Sequence, residues 1–311
     1  MKLNELYNQY ASGRLEKHQY IDAMYTKHQD LFEYSEYLKN TDIQTITIED
    51  DFIYMTIKGS NIKMIIDKDD RRFIPIEILN FHAIDPRERQ LLFRVANQCR
   101  TIFDIGANIG WYTLNFAKLP KVSKVFSFEP IPHTYHYLKK HLEINKIRNV
   151  FPFNLGFFDS IGSKTFYWTK NETGSASLEN IQERSHINKV DCKVSTLDHF
   201  TKDKPDKIDL IKCDVEGAEL FVFKGAMKTI TRDKPIIFSE MLRKWSKKFQ
   251  YHPDDIIKLL TNVGYRCFGY IGNEIEEIHS ICPDLETTNF FFFHENEHLD
   301  IIRDITCPSV N

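Results

Sequence analysis

The stretch TIFDIGANIGWY, residues 101–112, constrains the fold of this chain more than any other. A β-favouring run carries an acid, a turn with two glycines follows, and apolar periodicity resumes at Trp111, so the spacing predicts strand, tight turn and helix. Gly106 and Gly110 suit backbone that takes positive φ or lets a ligand approach closely. Asp104 falls at the carboxyl end of the strand, where open α/β sheets bind ligands. The next strand-like run, Lys124-Val-Phe-Ser-Phe, ends at Glu129. That acid follows the glycine turn by roughly 20 residues, the spacing at which a Rossmann-type carboxylate accepts hydrogen bonds from a ribose diol. A nucleoside ligand is expected, although an ordinary βα connection has the same local appearance.

What the loop lacks narrows the ligand. A dinucleotide fingerprint needs G-x-G-x-x-G and a phosphate loop needs G-x-x-x-x-G-K-[ST], whereas the order here is Gly106-Ala107-Asn108-Ile109-Gly110 with no following lysine. An acid at the mouth of the loop repels a pyrophosphate and suits the ammonium of an amino acid. S-adenosylmethionine carries both an amino-acid end and a ribose diol and is the expected cofactor. A nicotinamide-dependent oxidoreductase shares the fold and Glu129 and stands as the alternative, beside a nucleotide-binding protein without turnover.

Composition sets outer bounds. The 41 basic and 44 acidic side chains leave no global field to hold a polyanion, so nucleic acid is disfavoured as a partner. No membrane span or apolar signal core is visible, and a cytoplasmic location is expected. The six cysteines form no C-x-x-C pair, which argues against a zinc knuckle or disulfide framework.

Taken in order, residues 1–42 read as a helical segment, with Leu3, Leu6, Tyr7 and Tyr10, then Ile21, Met24 and Tyr25, near helical spacing and Gly13 as a break. Such an amphipathic hairpin packs against its own domain or forms a homo-oligomer interface. Residues 43–80 read as a small antiparallel β meander with turns at Glu-Asp-Asp, Gly-Ser-Asn and Asp-Lys-Asp-Asp. Asp85-Pro86-x-Glu88 reads as a helix start. From 81 to 311 strands alternate with helices, the pattern of a doubly wound parallel sheet, interrupted after Gly156 by an extra hairpin. The small-residue stretch Thr173–Leu178 reads as a surface turn or a loop closing over a ligand, and the polar connection before Asn289 as a turn or lid.

The second informative stretch is Ile208-Asp-Leu-Ile-Lys-Cys-Asp214-Val-Glu216-Gly. An apolar strand ends at Asp214 with Glu216 two residues on, and Pro235-Ile-Ile-Phe-Ser-Glu240 repeats the device on what should be the neighbouring strand. Carboxylates gathered at strand ends cost like-charge repulsion, so they are expected to serve a cation, a metal or a proton. Asp214, Glu216 and Glu240 are the candidate catalytic groups. Either a carboxyl of raised pKa acts as general base, or a divalent cation such as Mg²⁺ bridges Asp214 and Glu240. Beyond lies a basic loop with Arg243, Lys244, Lys247 and Lys248, either a solvated face or a patch that meets an anionic acceptor. His133 and His136 read as surface or capping residues.

Several long motifs in order give the chain a family resemblance. DIGANIGWYT at 104–113, FEP at 128–130, DLIKCDVEGAELFVFKGA at 209–226, the Ile-Ile-x-x-Glu ending at Glu240 and the Asn289-Phe-Phe-Phe-Phe run resemble the FkbM family of S-adenosylmethionine-dependent methyltransferases over roughly residues 90–295. The resemblance implies an α/β fold with the seven-stranded, Rossmann-like class I methyltransferase sheet. It also implies O-methylation of a sugar or related hydroxylated small molecule, as in polysaccharide or natural-product synthesis. By position, Asp104, Gly106, Ala107, Asn108, Gly110 and Trp111 would hold the methionine part and Glu129 with Pro130 the ribose. Asn154 and Asp159 would neighbour the adenine, with Asp214 also at the cofactor. The usual Asn-x-Ala-x-x-Asp form appears here as Asn-Leu-Gly-Phe-Phe-Asp.

Overall fold

Strands Thr101–Ile105 and Leu210–Cys213 are buried at every position, as a sheet covered on both faces requires. The computed structural model, which describes residues 1–83, 86–170, 172–179, 187–203 and 206–306, builds that sheet. Across it the order is Glu274–Glu277, Tyr265–Ile271, Asn289–His294, Ile236–Glu240, Leu210–Cys213, Thr101–Ile105, Lys124–Phe128 and Val150–Phe153. The last five run parallel, and Asn289–His294 runs antiparallel between Ile236–Glu240 and Tyr265–Ile271. This is the class I methyltransferase sheet with an eighth strand added. Glu274–Glu277 hairpins onto Tyr265–Ile271 beside Gly272, whose φ is 58°, so part of the expected polar connection is strand.

Side chains alternate along each central strand between two apolar layers. Phe103, Ile105, Ile211, Cys213 and Phe292 face one layer, with Leu220, Phe223 and Ile256 from the covering helices. Ile102, Leu210, Phe238, Phe291 and Phe293 face the other, against Leu91, Leu92, Phe116 and Ile302. The extra hairpin is larger than its sequence pattern suggests. Gly156–Phe157, Asn188–Ser195, Gly162–Thr169 and Glu172–Ser177 form a four-stranded sheet in that order. The expected turn at Thr173–Leu178 largely falls in its edge strand, and the side chains of 173–176 lie outside the described residues, as does Asp85.

The meander forms as Ile43–Ile48, Ile53–Ile57 and Lys63–Ile65, in antiparallel order. The end of the stretch read as β is instead helix Ile74–Phe81, which proline in its first turn favours. The meander shares its apolar cluster with the glycine loop and the helices behind the main sheet: Ile43, Met55, Met64 and Phe73 pack with Ala107, Trp111, Leu114 and Leu138. Hydrogen bonds stitch the same seam. The backbone N–H of Ile65 donates to His141 Nε2 at 2.9 Å, and His141 Nδ1 lies 2.7 Å from the Ile109 carbonyl. Asn145 accepts from Lys63 N at 2.8 Å and donates to Lys63 O at 2.6 Å. Lys118 Nζ donates to Ser60 O and Asn61 O. Residues 1–37 form helices Leu3–Ala11 and Lys17–Tyr37, in which Leu6 alone is buried.

The His141 imidazole is wholly buried, and burial depresses its pKa to about 4, so the neutral ring bridges the seam. His141→Ala should therefore leave Ile65 N–H and Ile109 C=O without partners and lower the unfolding free energy by about 1–3 kcal/mol. Urea denaturation at neutral pH measures this, and an unchanged midpoint would show that the seam does not depend on the ring.

Candidate functional site

Parallel pairing sets Lys212 directly beside Asp104 on the adjacent strand. Lys212 Nζ lies 3.4 Å from Asp104 Oδ1, 3.4 Å from Asp214 Oδ2, and donates to the Gly106 carbonyl at 2.9 Å. Burial works against this ammonium, but Asp214 and Asp104 outweigh it and hold its pKa above the ordinary lysine range. Asp104 also accepts from Thr113 Oγ1 at 2.6 Å, and Thr113 in turn lies 2.8 Å from Ser127 Oγ. The loop is thus tied down from behind. Sequence reading passed over Lys212, although a lysine inside an otherwise apolar, wholly buried strand was a usable signal.

Gly106, at φ +75°, lies so close to the next strand that a Cβ would stand 1.7 Å from the Asp214 carbonyl oxygen. The glycine is needed because the protein's own backbone passes there. At Gly110, φ +94°, a Cβ would meet Leu138 at 2.6 Å. In front of the loop a cavity is lined by Gly106, Asn108, Glu129, Pro130 and Ile131, by Leu155, Gly156, Phe157, Phe166 and Leu178, and by Asp214, Val215, Glu216 and Ala218.

Glu129 is buried and accepts from Asn108 N at 2.8 Å, Ile131 N at 2.9 Å and Thr134 Oγ1 at 2.8 Å. Burial raises its pKa to about 7 against the pull of those donors. Asn108 takes a left-handed φ of 50°, and its buried Oδ1 has no hydrogen-bond partner among the described residues. Other expected cofactor residues stand back from the cavity. Asp104, Ala107 and Gly110 support the loop. Trp111 packs under the meander with Arg89 over its ring at 5.9 Å. Asn154 Nδ2 donates to the carbonyls of Glu129 and Pro130, holding that corner, and Asp159 is exposed. Leu155, Gly156, Phe157 and Phe166 line the wall where that segment was expected.

Asp214 and Glu216 line the other side, and Glu240, outside the lining, converges on them. One carboxylate oxygen from each lies within 4.8 Å of the others. Burial first, and then the charge of Asp214, push the Glu216 and Glu240 carboxyls well above their ordinary range, while Lys212 and then Arg72, from the loop after the meander, oppose the rise at Glu216. The turn carrying Glu216 is left-handed at two successive residues, with φ 55° at Glu216 and 101° at Gly217. Glu219, a further residue that sequence reading missed, holds this turn by accepting from Val215 N at 3.0 Å and Gly217 N at 3.1 Å, and Tyr251 reaches its other oxygen at 3.3 Å.

The basic stretch forms a short helix, Arg243–Ser246, and a 3₁₀ turn, Lys247–Phe249. Trp245 and Phe249 press against Gly217, where a Cβ would meet them at 2.9 Å. Lys244, Lys247 and Lys248 are exposed, and Arg243 donates to the Pro283 carbonyl. None of the four lines the cavity.

Burial raises Glu219 to about 7, so its proton is held more tightly in the folded than in the unfolded chain. Stability from this group is therefore greatest at low pH and falls as pH climbs from the ordinary glutamate value of about 4.3 to about 7. Glu219→Gln keeps an amide oxygen for the two backbone donors and removes the titration. Relative to the variant, the parent should lose up to about 3 kcal/mol of unfolding free energy between pH 5 and pH 8. Denaturant titrations at both pH values test the sign, which a parallel pH response of the two proteins would contradict.

Residues 104–267 match the family model described as the methyltransferase FkbM domain. Methyltransferase sdnD of Sordaria araneosa is 30% identical over 192 residues, 49% of this chain and 74% of that protein. A stretch of 99 residues is 28% identical to tRNA (guanine(37)-N(1))-methyltransferase Trm5b of Pyrococcus abyssi, covering 31% of this chain and 29% of that one. The crystal structure of methyltransferase FkbM from Methylobacillus flagellatus superposes with a TM-score of 0.41 at 17% identity, over 62% of this chain and 43% of that one. Since the family model covers more than half of its length, this chain belongs to the FkbM methyltransferase family.

Proposed function

We propose that this chain is an S-adenosylmethionine-dependent O-methyltransferase for a hydroxyl of a small polar acceptor, a sugar or nucleotide-linked sugar. The observation that carries the reading is one cavity lined by a buried carboxylate, Glu129, on one side and by Asp214 and Glu216 on the other, with Glu240 converging on those two from outside the lining. The cofactor fits the donors and acceptors present. Glu129 accepts from a ribose diol, the partnerless Asn108 Oδ1 calls for a donor, and Phe157, Phe166 and Leu155 offer an apolar wall to a purine. When bound, the cofactor supplies an electrophilic methyl group for in-line transfer.

The chain's own residues do the rest. Gly106 and Lys212 fix the Asp214 backbone and side chain against the loop, so the carboxyl cluster is held in place before any acceptor arrives. An acceptor hydroxyl must give up its proton as it attacks. The site offers Asp214, Glu216 and Glu240 to take it, and the raised proton affinity of the two glutamates brings them nearer to what a general base needs. Arg243, Lys244, Lys247 and Lys248, on the segment packed against Gly217, are proposed to meet an anionic group of the acceptor. A second reading rests on the 4.8 Å clustering: the same three oxygens can hold a divalent cation that orients the acceptor hydroxyls.

Two outcomes are expected. Glu129→Gln should weaken S-adenosylmethionine binding by about 1.5–3 kcal/mol in calorimetry, because a charge-assisted acceptor is lost; unchanged affinity would remove Glu129 from the ribose. Asp214→Asn should abolish most transfer of labelled methyl to nucleotide sugars with cofactor binding nearly kept, and near-normal turnover would sink the shared premise. Chelation with EDTA leaves turnover intact if a carboxyl is the base and stops it if a cation is required. Labelling of tRNA in place of sugars would overturn the acceptor class.

A further inference from the structure

The cavity in front of the glycine loop is closed too far for the ligand proposed for it. It holds about 60 Å³ of open volume, whereas sites for ligands of this size span roughly 300–1,000 Å³. Its purine wall is shut. Pro130 and Phe166 both close on Gly156, where an added Cβ would stand 3.4 Å from the first and 3.5 Å from the second. Part of the lining must therefore move before a nucleoside cofactor enters.

Most of the lining is tied down. Lys212 fixes Gly106 and Asp214, Glu129 takes donors from Asn108 and Ile131, and Asn154 holds the Glu129 and Pro130 carbonyls. Glu219 holds Val215 and Gly217. Phe166 and Leu178 differ, because they are carried by the small four-stranded sheet, which is separate from the main one among the described residues. Its strand Asn188–Ser195 pairs with Gly156–Phe157 through Val194 and Ser195 at its inner end.

The outer end of this sheet is fastened to the loop after the meander. Trp168, two residues beyond Phe166 and in the same apolar cluster, stacks on His133 at 5.1 Å. His133 Nε2 lies 3.4 Å from the buried Asp67, and the exposed Lys170 pairs with Asp69. At the cavity edge Ser177 Oγ donates to the Glu216 carbonyl at 2.8 Å. We propose that the outer part of the small sheet, strand Gly162–Thr169 with Ser177 and Leu178, is a lid over the cofactor cavity, latched by Asp67 and Asp69 through His133 and Lys170. The inference rests on the S-adenosylmethionine reading of that cavity. Opening lifts Phe166 and Leu178 away from the purine wall. A single aromatic pair and an exposed ion pair are each weak, so the latch can release without disturbing the rigid floor. The loop after the meander, outside residues 104–267 that match the family model, thereby takes part in cofactor exchange.

Stopped-flow mixing of the full chain with S-adenosylmethionine should give a binding rate that levels off as cofactor concentration rises, because opening precedes entry. Trp168→Ala should raise that plateau about threefold to tenfold, the scale of one lost aromatic pair. Asp69→Lys, a surface change outside the cavity lining, should raise it by a smaller factor, and Asp69→Lys with Lys170→Asp should bring it back to the parent value. A rate that stays linear in cofactor concentration, or a plateau that ignores either change, overturns the lid and leaves the cofactor reading standing. Absence of any S-adenosylmethionine binding in calorimetry overturns both.

Discussion

The buried ammonium of Lys212 is the interaction on which the rest of the site depends. Removing such a charge from water costs several kcal/mol, and only close opposite charges and hydrogen bonds offset it. Here Asp104, Asp214 and the Gly106 carbonyl do so together, each from a different part of the strand ends. The consequence is geometric. The Asp214 carbonyl passes so close to Gly106 that no side chain fits there, and the turn through Glu216 starts from that crossing. Loss of the lysine would leave the buried Asp104 and the half-buried Asp214 carboxylates without their cation.

Burial carries the same logic outward. Glu129, Glu216, Glu219 and Glu240 all have raised pKa values, and in each the first cause is removal from water. Such a concentration of acids near one cavity works against stability above neutral pH. Proteins accept strain of this kind where chemistry needs groups of altered proton affinity. The local supports are correspondingly dense: Glu129 takes three donors, and Glu219 is held by two backbone amides and Tyr251.

The amino-terminal segment divides into two parts of different character. The meander is bound to the loop region through His141, Asn145 and a shared apolar cluster that includes Trp111, so it braces the cavity from behind. The loop that follows it brings Arg72 close enough for its charge to act on Glu216. Among the described residues the long helix before it is anchored only at its end: Tyr37 meets His82 edge-on at 5.6 Å, and the Lys58 ammonium donates to the carbonyls of Leu38, Lys39 and Thr41 just past it.

Sequence alone determined the strand, turn and helix at 101–117, the parallel order that follows from alternating βα units, and the acids at strand ends. These are local signals: periodicity of two or 3.6, glycine in tight turns, and polar residues where apolar runs stop. It also determined the meander, whose three strands pair in register through short turns. Only the tertiary structure decided which of the loop residues face the cavity. Trp111 and Asp104 lie within the same motif as Asn108, yet they turn inward to the meander and to Lys212, because the direction of a side chain at a turn is set by what packs behind it. The eighth strand was legible too, since it returns on Tyr265–Ile271 through the two-residue turn Gly272-Asn273, a local hairpin signal that sequence reading passed over. Tertiary structure likewise decided the role of Glu219, because one of its partners, Tyr251, lies 32 residues further along the chain and no local pattern encodes such a partner.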